Sequence, residues 1–79
     1  MQEDIKLYVK TEGPCMQCTM MKKEFIKKGI PFTELKGEDH VEEIKALGFQ
    51  SYPVVITKSF GSWAGFRPDR LNDIIANIG

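Results

Sequence analysis

Gly13-Pro14-Cys15-Met16-Gln17-Cys18 constrains this chain more than any other stretch. It holds both cysteines, separated by two residues, directly after an apolar alternating run and directly before a helical pattern. A C-x-x-C at the change from strand to helix puts its first sulfur at a helix N-terminus. Unpaired backbone N–H groups and the macrodipole favour an anion there, and the thiolate is the reactive form of cysteine. Cys18 falls three positions on, on the same helical face. The backbone freedom of an N-cap at Cys15 lets the two Cβ atoms approach to the roughly 3.5–4.5 Å that a disulfide needs. The pattern points to reversible dithiol/disulfide chemistry.

The rest of the composition narrows the setting. The 79 residues suit a single domain, 1–79, near the lower size for a self-sufficient core. Eleven basic side chains balance eleven acidic ones, so nucleic acid and anionic membrane surfaces are not expected partners. No apolar run approaches the roughly 18 residues of a membrane span. Met1-Gln2-Glu3-Asp4 is acidic and carries no signal-peptide pattern, so a cytoplasmic protein is expected. A lone cysteine pair in that compartment is catalytic or metal-binding more often than a structural staple. A closed zinc site takes four ligands, and two cysteines with one distant histidine fall short unless two copies share the ion. No metal and no cofactor beyond the cysteine pair are expected, in a chain acting as a monomer.

Ile5, Leu7 and Val9 alternate with Lys6, Tyr8 and Lys10, which predicts a strand with one apolar face. Thr11 to Pro14 is turn chemistry. A helix follows over about 15–28, with Cys18, Met21 and Phe25 inward and Met20 or Ile26 as candidates to widen the stripe. Lys27, Lys28 and Gly29 make its stop. Phe32-Thr33-Glu34-Leu35 predicts a short strand. Asp39 with Glu42 resembles a capping box for a helix whose inward stripe is Val41, Ile44 and Leu47. Val54-Val55-Ile56-Thr57 reads as a strand buried on both faces, and a Lys58-Ser59 turn leads into a hairpin partner from Phe60 to Ala64. Pro68 and Asp69 open a last helix with Leu71, Ile74, Ile75 and Ile78 inward. The order β-α-β-α-β-β-α predicts an α/β fold: a four-stranded mixed sheet with helices on both faces and the cysteines at the C-terminal end of the first strand.

This order, with C-x-x-C after the first strand and a proline before the third, resembles the thioredoxin fold in its glutaredoxin form. Cys15-Met16-Gln17-Cys18, Tyr52-Pro53-Val54-Val55 and Trp63-Ala64-Gly65-Phe66-Arg67-Pro68-Asp69 together resemble the NrdH-redoxins, glutaredoxin-like electron donors to class Ib ribonucleotide reductase. The resemblance spans nearly the whole chain, with Ala64 where that family usually has serine. It implies two partners: the C-terminal cysteine tail of the ribonucleotide reductase large subunit, and thioredoxin reductase as the source of electrons in place of glutathione. Glutaredoxins typically carry a basic residue ahead of the C-x-x-C to meet glutathione's carboxylates; Glu12 stands in that neighbourhood here. Trp63 to Asp69 replaces their glycine-rich glutamyl-binding segment, although Arg67 retains the charge to hold a carboxylate.

The implied chemistry makes Cys15 the nucleophile and Cys18 the resolving thiol. Met16 and Gln17 lie between them on the side a partner approaches; Gln17 bonds a partner's backbone, positions the helix start, or is exposed without a role. The resemblance implies a cis Tyr52–Pro53 bond, which presents the Tyr52 backbone to an extended substrate; otherwise Pro53 is only a strand-initiating proline. Trp63 and Phe66 are either core or the walls of an apolar platform for substrate. Arg67 and Asp69 are candidates for a loop-fixing ion pair. The lysines at 22, 23, 27 and 28 read mainly as a solvated face, and His40 as an exposed residue without a role. Two rivals share these residues: a glutathione-dependent glutaredoxin, and a non-catalytic adaptor using the same surface for binding.

Overall fold

The computed structural model describes residues 5–78, and for Ile78 the backbone only. The acidic lead Met1–Asp4 and the inward placement expected of the Ile78 side chain lie outside the described residues. The elements are β1 (Lys6–Val9), α1 (Met16–Lys27), β2 (Thr33–Lys36), a 3-10 turn (Gly37–His40), α2 (Val41–Ala46), β3 (Val54–Ile56), β4 (Ser62–Ala64) and α3 (Pro68–Ile78). The strands form one sheet in the order β2-β1-β3-β4. β1 and β2 run parallel, Lys6 opposite Thr33, while β3 is antiparallel to both β1 and β4. The expected order of elements and mixed sheet are present.

The two faces of the sheet are filled unequally. Ile5, Leu7, Val9 and Val55 pack with Cys18, Met21 and Phe25 of α1, with Trp63, and with Leu71 and Ile74 of α3. On the opposite face Tyr8, Ile44 and Val54 form a smaller cluster, flanked by Leu35, Phe49, Tyr52, Ile56 and Ala64. Tyr8 therefore corrects the reading of β1 as a strand with one apolar face: at 1% exposure it is as buried as its neighbours. β1 is a central strand, and α2 covers its second side. The Tyr8 hydroxyl donates to Glu43 Oε2 at 3.0 Å, and the His40 ring meets the Tyr8 ring edge-on, centroids 5.1 Å apart. His40 Nδ1 lies 3.3 Å from the same carboxylate oxygen. His40 is thus part of the cover over Tyr8 and not a loose surface residue.

Four further expectations shift. Asp39 does not cap α2, because the 3-10 turn occupies that stretch; the N-cap is His40, with no side-chain hydrogen bond. α2 is only six residues long, and Val41 and Leu47 are 41% and 48% exposed, leaving Ile44 as its buried anchor. Met20 and Ile26 also face outward and do not widen the α1 stripe. The hairpin turn is longer than Lys58-Ser59: Thr57 Oγ1 accepts the Phe60 N–H at 2.8 Å and donates to the Gly61 carbonyl at 2.7 Å, so β4 begins at Ser62.

Both α1 and α2 stop by the same device. Gly29 has φ +68°, its N–H donates to the Ile26 carbonyl, and the Ile30 N–H donates to the Phe25 carbonyl. Gly48, Lys45, Phe49 and Ile44 repeat the pattern at the end of α2. This paired bonding is the Schellman motif, which needs a left-handed residue that glycine supplies without strain. It turns the chain after α1 so that buried Ile30 lands on Phe25 and β2 can start beside β1.

Candidate redox site

Cys15 is the N-cap of α1, with extended backbone (φ −140°, ψ 90°). Cys18, one turn on, is buried at 5% exposure among Met21, Phe25 and the β1 side chains. The two are joined as a disulfide with Cα atoms 5.3 Å apart. Each sulfur also accepts a backbone N–H: Cys15 Sγ from Cys18 at 3.3 Å, and Cys18 Sγ from Lys10 at 3.5 Å. The first is an N-cap bond made by sulfur where serine or aspartate would normally serve. Donors already aimed at both sulfurs, on a helix N-terminus, are what a thiolate requires.

The surroundings separate into three loops. Cys15 is half-buried, while Thr11, Glu12, Gly13 and Pro14 ahead of it are exposed. Met16 is 78% exposed, and Gln17 is also turned to solvent. In the second loop the Tyr52–Pro53 bond is cis, Pro53 is fully buried, and Tyr52 is half-buried against both core clusters. In the third, the Gly65 N–H donates to the Pro53 carbonyl at 2.7 Å. Trp63 is 5% exposed, so it backs the site from within the core and does not lie open beside it. Its indole N–H is buried with no hydrogen-bond partner among the described residues, and the Arg70 guanidinium lies over its ring, 5.1 Å from the centroid. Phe66 is half-buried and packs on the same cluster as Cys15.

Ala64 packs on the opposite face with the Tyr8 cluster, so its methyl group fills space in that smaller core. The Arg67–Asp69 pair exists, Nε to Oδ1 3.6 Å, but both side chains are more than half exposed; such a pair contributes under about 1 kcal/mol. A cleft of about 400 Å³ opens beside the disulfide between Lys10, Thr11, Pro14, Lys22 and Glu34. The Lys22 ammonium in its wall is taken by Glu34 at 2.9 Å.

Two residues at this site escape a reading of motifs. Gly37 is buried, and a Cβ placed on it would run into the Tyr52 ring. Glu38 accepts the Thr11 N–H and the Glu12 N–H, each at 2.9 Å, and the Thr11 hydroxyl at 3.1 Å. The Glu12 N–H foremost, then its own N–H and the two Thr11 donors, hold the Glu38 carboxyl down at about 2. In sequence the pair looks like a lead-in to a helix cap. The available signal is a Gly-Glu placed directly where a strand parallel to the first one must end.

Among the described residues no helix is long and apolar enough to cross a membrane, and no group of three or more histidine, cysteine or acidic side chains is placed to hold a metal ion.

Comparison with known proteins agrees with this geometry. No family model matches the chain. The glutaredoxin-like protein NrdH of Escherichia coli is 36% identical over 72 residues, covering 86% of each chain. That of Lactococcus lactis subsp. cremoris is 38% identical over 66 residues, covering 80% of this chain and 90% of its own. The solved structure of the Escherichia coli NrdH-redoxin, described as having a thioredoxin-like activity profile, superposes with a TM-score of 0.80 at 32% identity, over 90% of this chain and 93% of that one. A glutaredoxin from Archaeoglobus fulgidus (TM-score 0.67, 21% identity, 91% of this chain and 85% of that one) shares the fold. With a disulfide at the start of α1 and a cis-proline loop beside it, the chain belongs to the NrdH glutaredoxin-like proteins, thiol–disulfide oxidoreductases of the thioredoxin fold.

Proposed function

We propose that the chain is a dithiol electron donor to class Ib ribonucleotide reductase, recycled by thioredoxin reductase and working in the cytoplasm as a monomer with no cofactor besides its own cysteines. The observation that carries the mechanism is the unequal burial of the pair, Cys15 half-buried at the surface and Cys18 buried behind it. In the reduced protein the helix start and the Cys18 N–H hold Cys15 as a thiolate, with a pKa below the ordinary value of about 8.5. It attacks one sulfur of the partner's disulfide; an S–S bond forms to Cys15 and the partner's other sulfur leaves as thiolate. Cys18, losing its proton, then attacks the Cys15 sulfur and releases the second partner thiol. Two electrons pass to the partner, whose two sulfurs take up the proton from Cys18 and one from solvent, and the Cys15–Cys18 disulfide remains.

Docking falls to the surface around Cys15. Exposed Met16 and Gln17 meet the partner segment. Tyr52 and Pro53 present an edge to it in strand fashion, and half-buried Phe66, backed by Trp63, completes the apolar side. Preference for thioredoxin reductase over glutathione has electrostatic support. Glu12 and Glu38 put two carboxylates ahead of the C-x-x-C, and Lys22 in the neighbouring cleft is already neutralised by Glu34. Lys10 also lines that cleft, so the carboxylates weaken the site for glutathione's acidic groups without emptying it of positive charge.

Trapping tests the assignment. Cys18→Ser should accumulate a mixed disulfide through Cys15 with the C-terminal tail of the reductase large subunit, and Cys15→Ser should abolish insulin-disulfide reduction. Turnover with NADPH and thioredoxin reductase should exceed that with glutathione and its reductase. Equal turnover from the two supplies refutes the electron source, and a trapped species lacking any reductase subunit refutes the partner. An unaltered protein that reduces no disulfide, with Cys15→Ser leaving its partner binding unchanged, leaves only the adaptor reading.

A further inference from the structure

The segment Gly37–Glu38, at the end of β2, touches both loops that frame the disulfide. Glu38 reaches 26 and 27 positions back along the chain to Glu12 and Thr11. Its Oε2 takes both backbone N–H groups and its Oε1 takes the Thr11 hydroxyl. These are the residues that lead to Gly13, Pro14 and Cys15, so a side chain from another element, not local backbone, binds the N–H groups of the incoming loop. Charge-assisted bonds of this kind are roughly twice as strong as neutral ones. Beside it Gly37 is buried, with the Tyr52 ring lying where a side chain would go.

We propose that Glu38 is a positioning residue for the dithiol: by holding Thr11 and Glu12 it fixes the loop that places Cys15 at the helix start, within reach of Cys18. Closing the disulfide depends on how often the two sulfurs meet at bonding distance. Cys18 is immobilised by burial, so the variable partner is Cys15, and its freedom is set by the loop that Glu38 grips. The inference rests on the thiol–disulfide reading of the pair and is independent of which partner is reduced.

Equilibrating the whole protein with dithiothreitol buffers of graded oxidation gives the closing constant directly. Glu38→Ala frees two N–H groups and the hydroxyl, and is expected to lower that constant about tenfold, a rise of about 30 mV in potential. Glu38→Gln restores most of it, to within about threefold of the unaltered protein, because the amide oxygen can take the N–H pair while the Thr11 hydroxyl accepts from Nε2. Thr11→Val, which removes one of the three bonds and leaves the core untouched, falls between, and it keeps the test decisive if Glu38→Ala does not fold. An unchanged constant in both Glu38→Ala and Thr11→Val overturns the proposal, as does Glu38→Gln falling as far as Glu38→Ala. If the unaltered protein neither forms nor loses its disulfide across the buffers, the dithiol reading fails first and takes this one with it.

Discussion

The two loops that meet at the disulfide are held by opposite kinds of force. The loop into Cys15 lies in water and is fastened by one carboxylate on two N–H groups and a hydroxyl. The loop through Tyr52 and Pro53 is fastened by burial: Pro53 is out of solvent, its carbonyl accepts the Gly65 N–H at 2.7 Å, and Tyr52 packs on both cores. The first grip consists of exposed polar contacts. The second is packed into the core on both of its sides. The two loops thus rest on different interactions.

The largest contrast should appear in stability. Trp63 pairs with Val55 across the hairpin and fills the core behind the Pro53 loop. Trp63→Ala is expected to cost about 3–5 kcal/mol, the usual range for an aromatic emptied from a core. Glu12→Ala on the exposed loop keeps its backbone N–H and should stay within about 0.5 kcal/mol. Urea unfolding of both variants measures the difference. A Trp63→Ala loss under 1 kcal/mol would mean that the apolar fastening is not what holds the second loop.

A smaller effect separates recognition from reactivity. Gly37→Ala forces a methyl group against the Tyr52 ring, with an overpacking cost of about 1–3 kcal/mol. The ring and its loop must shift, while Glu38 still reaches Thr11 and Glu12. The KM for a disulfide partner should therefore rise, with the rate of Cys15 alkylation by iodoacetamide unchanged. Alkylation slowed in step with KM would show that the two loops are not independently held.

What could be read in the sequence follows the same division. The strand order and the helix stripe of Cys18, Met21 and Phe25 were readable because burial imposes periodicity, and glycine at a helix end has few other uses. Tyr8 was misread because alternation cannot tell a solvent-facing side from a second core, and β1 has one on each side. α2 was misread because a single residue, Ile44, anchors it, so Val41 and Leu47 at helical spacing carried no packing information. Glu38 is out of reach for a different reason: its partners lie 26 and 27 positions away, and two of the three are backbone N–H groups, which no side-chain pattern records.

The finest test of the comparison is acid. Glu38 titrates at about 2 in the folded protein against an ordinary 4.5, so folding favours its ionised form. The stabilisation this provides is complete above the ordinary value and is lost as pH falls from there through about 2. Glu38→Gln cannot titrate, so the gap between its denaturation midpoint and that of the unaltered protein should narrow steadily over that window. Amide hydrogen exchange locates the loss. Protection of the Thr11 and Glu12 N–H groups should fall as the carboxylate takes up its proton. The Gly65 N–H, bound to the Pro53 carbonyl, should keep its protection, because neither member of that bond titrates. A gap constant down to pH 2 would show that the Glu38 carboxylate does not fasten the first loop, and Gly65 losing protection together with Thr11 would show that one cooperative unit holds both loops.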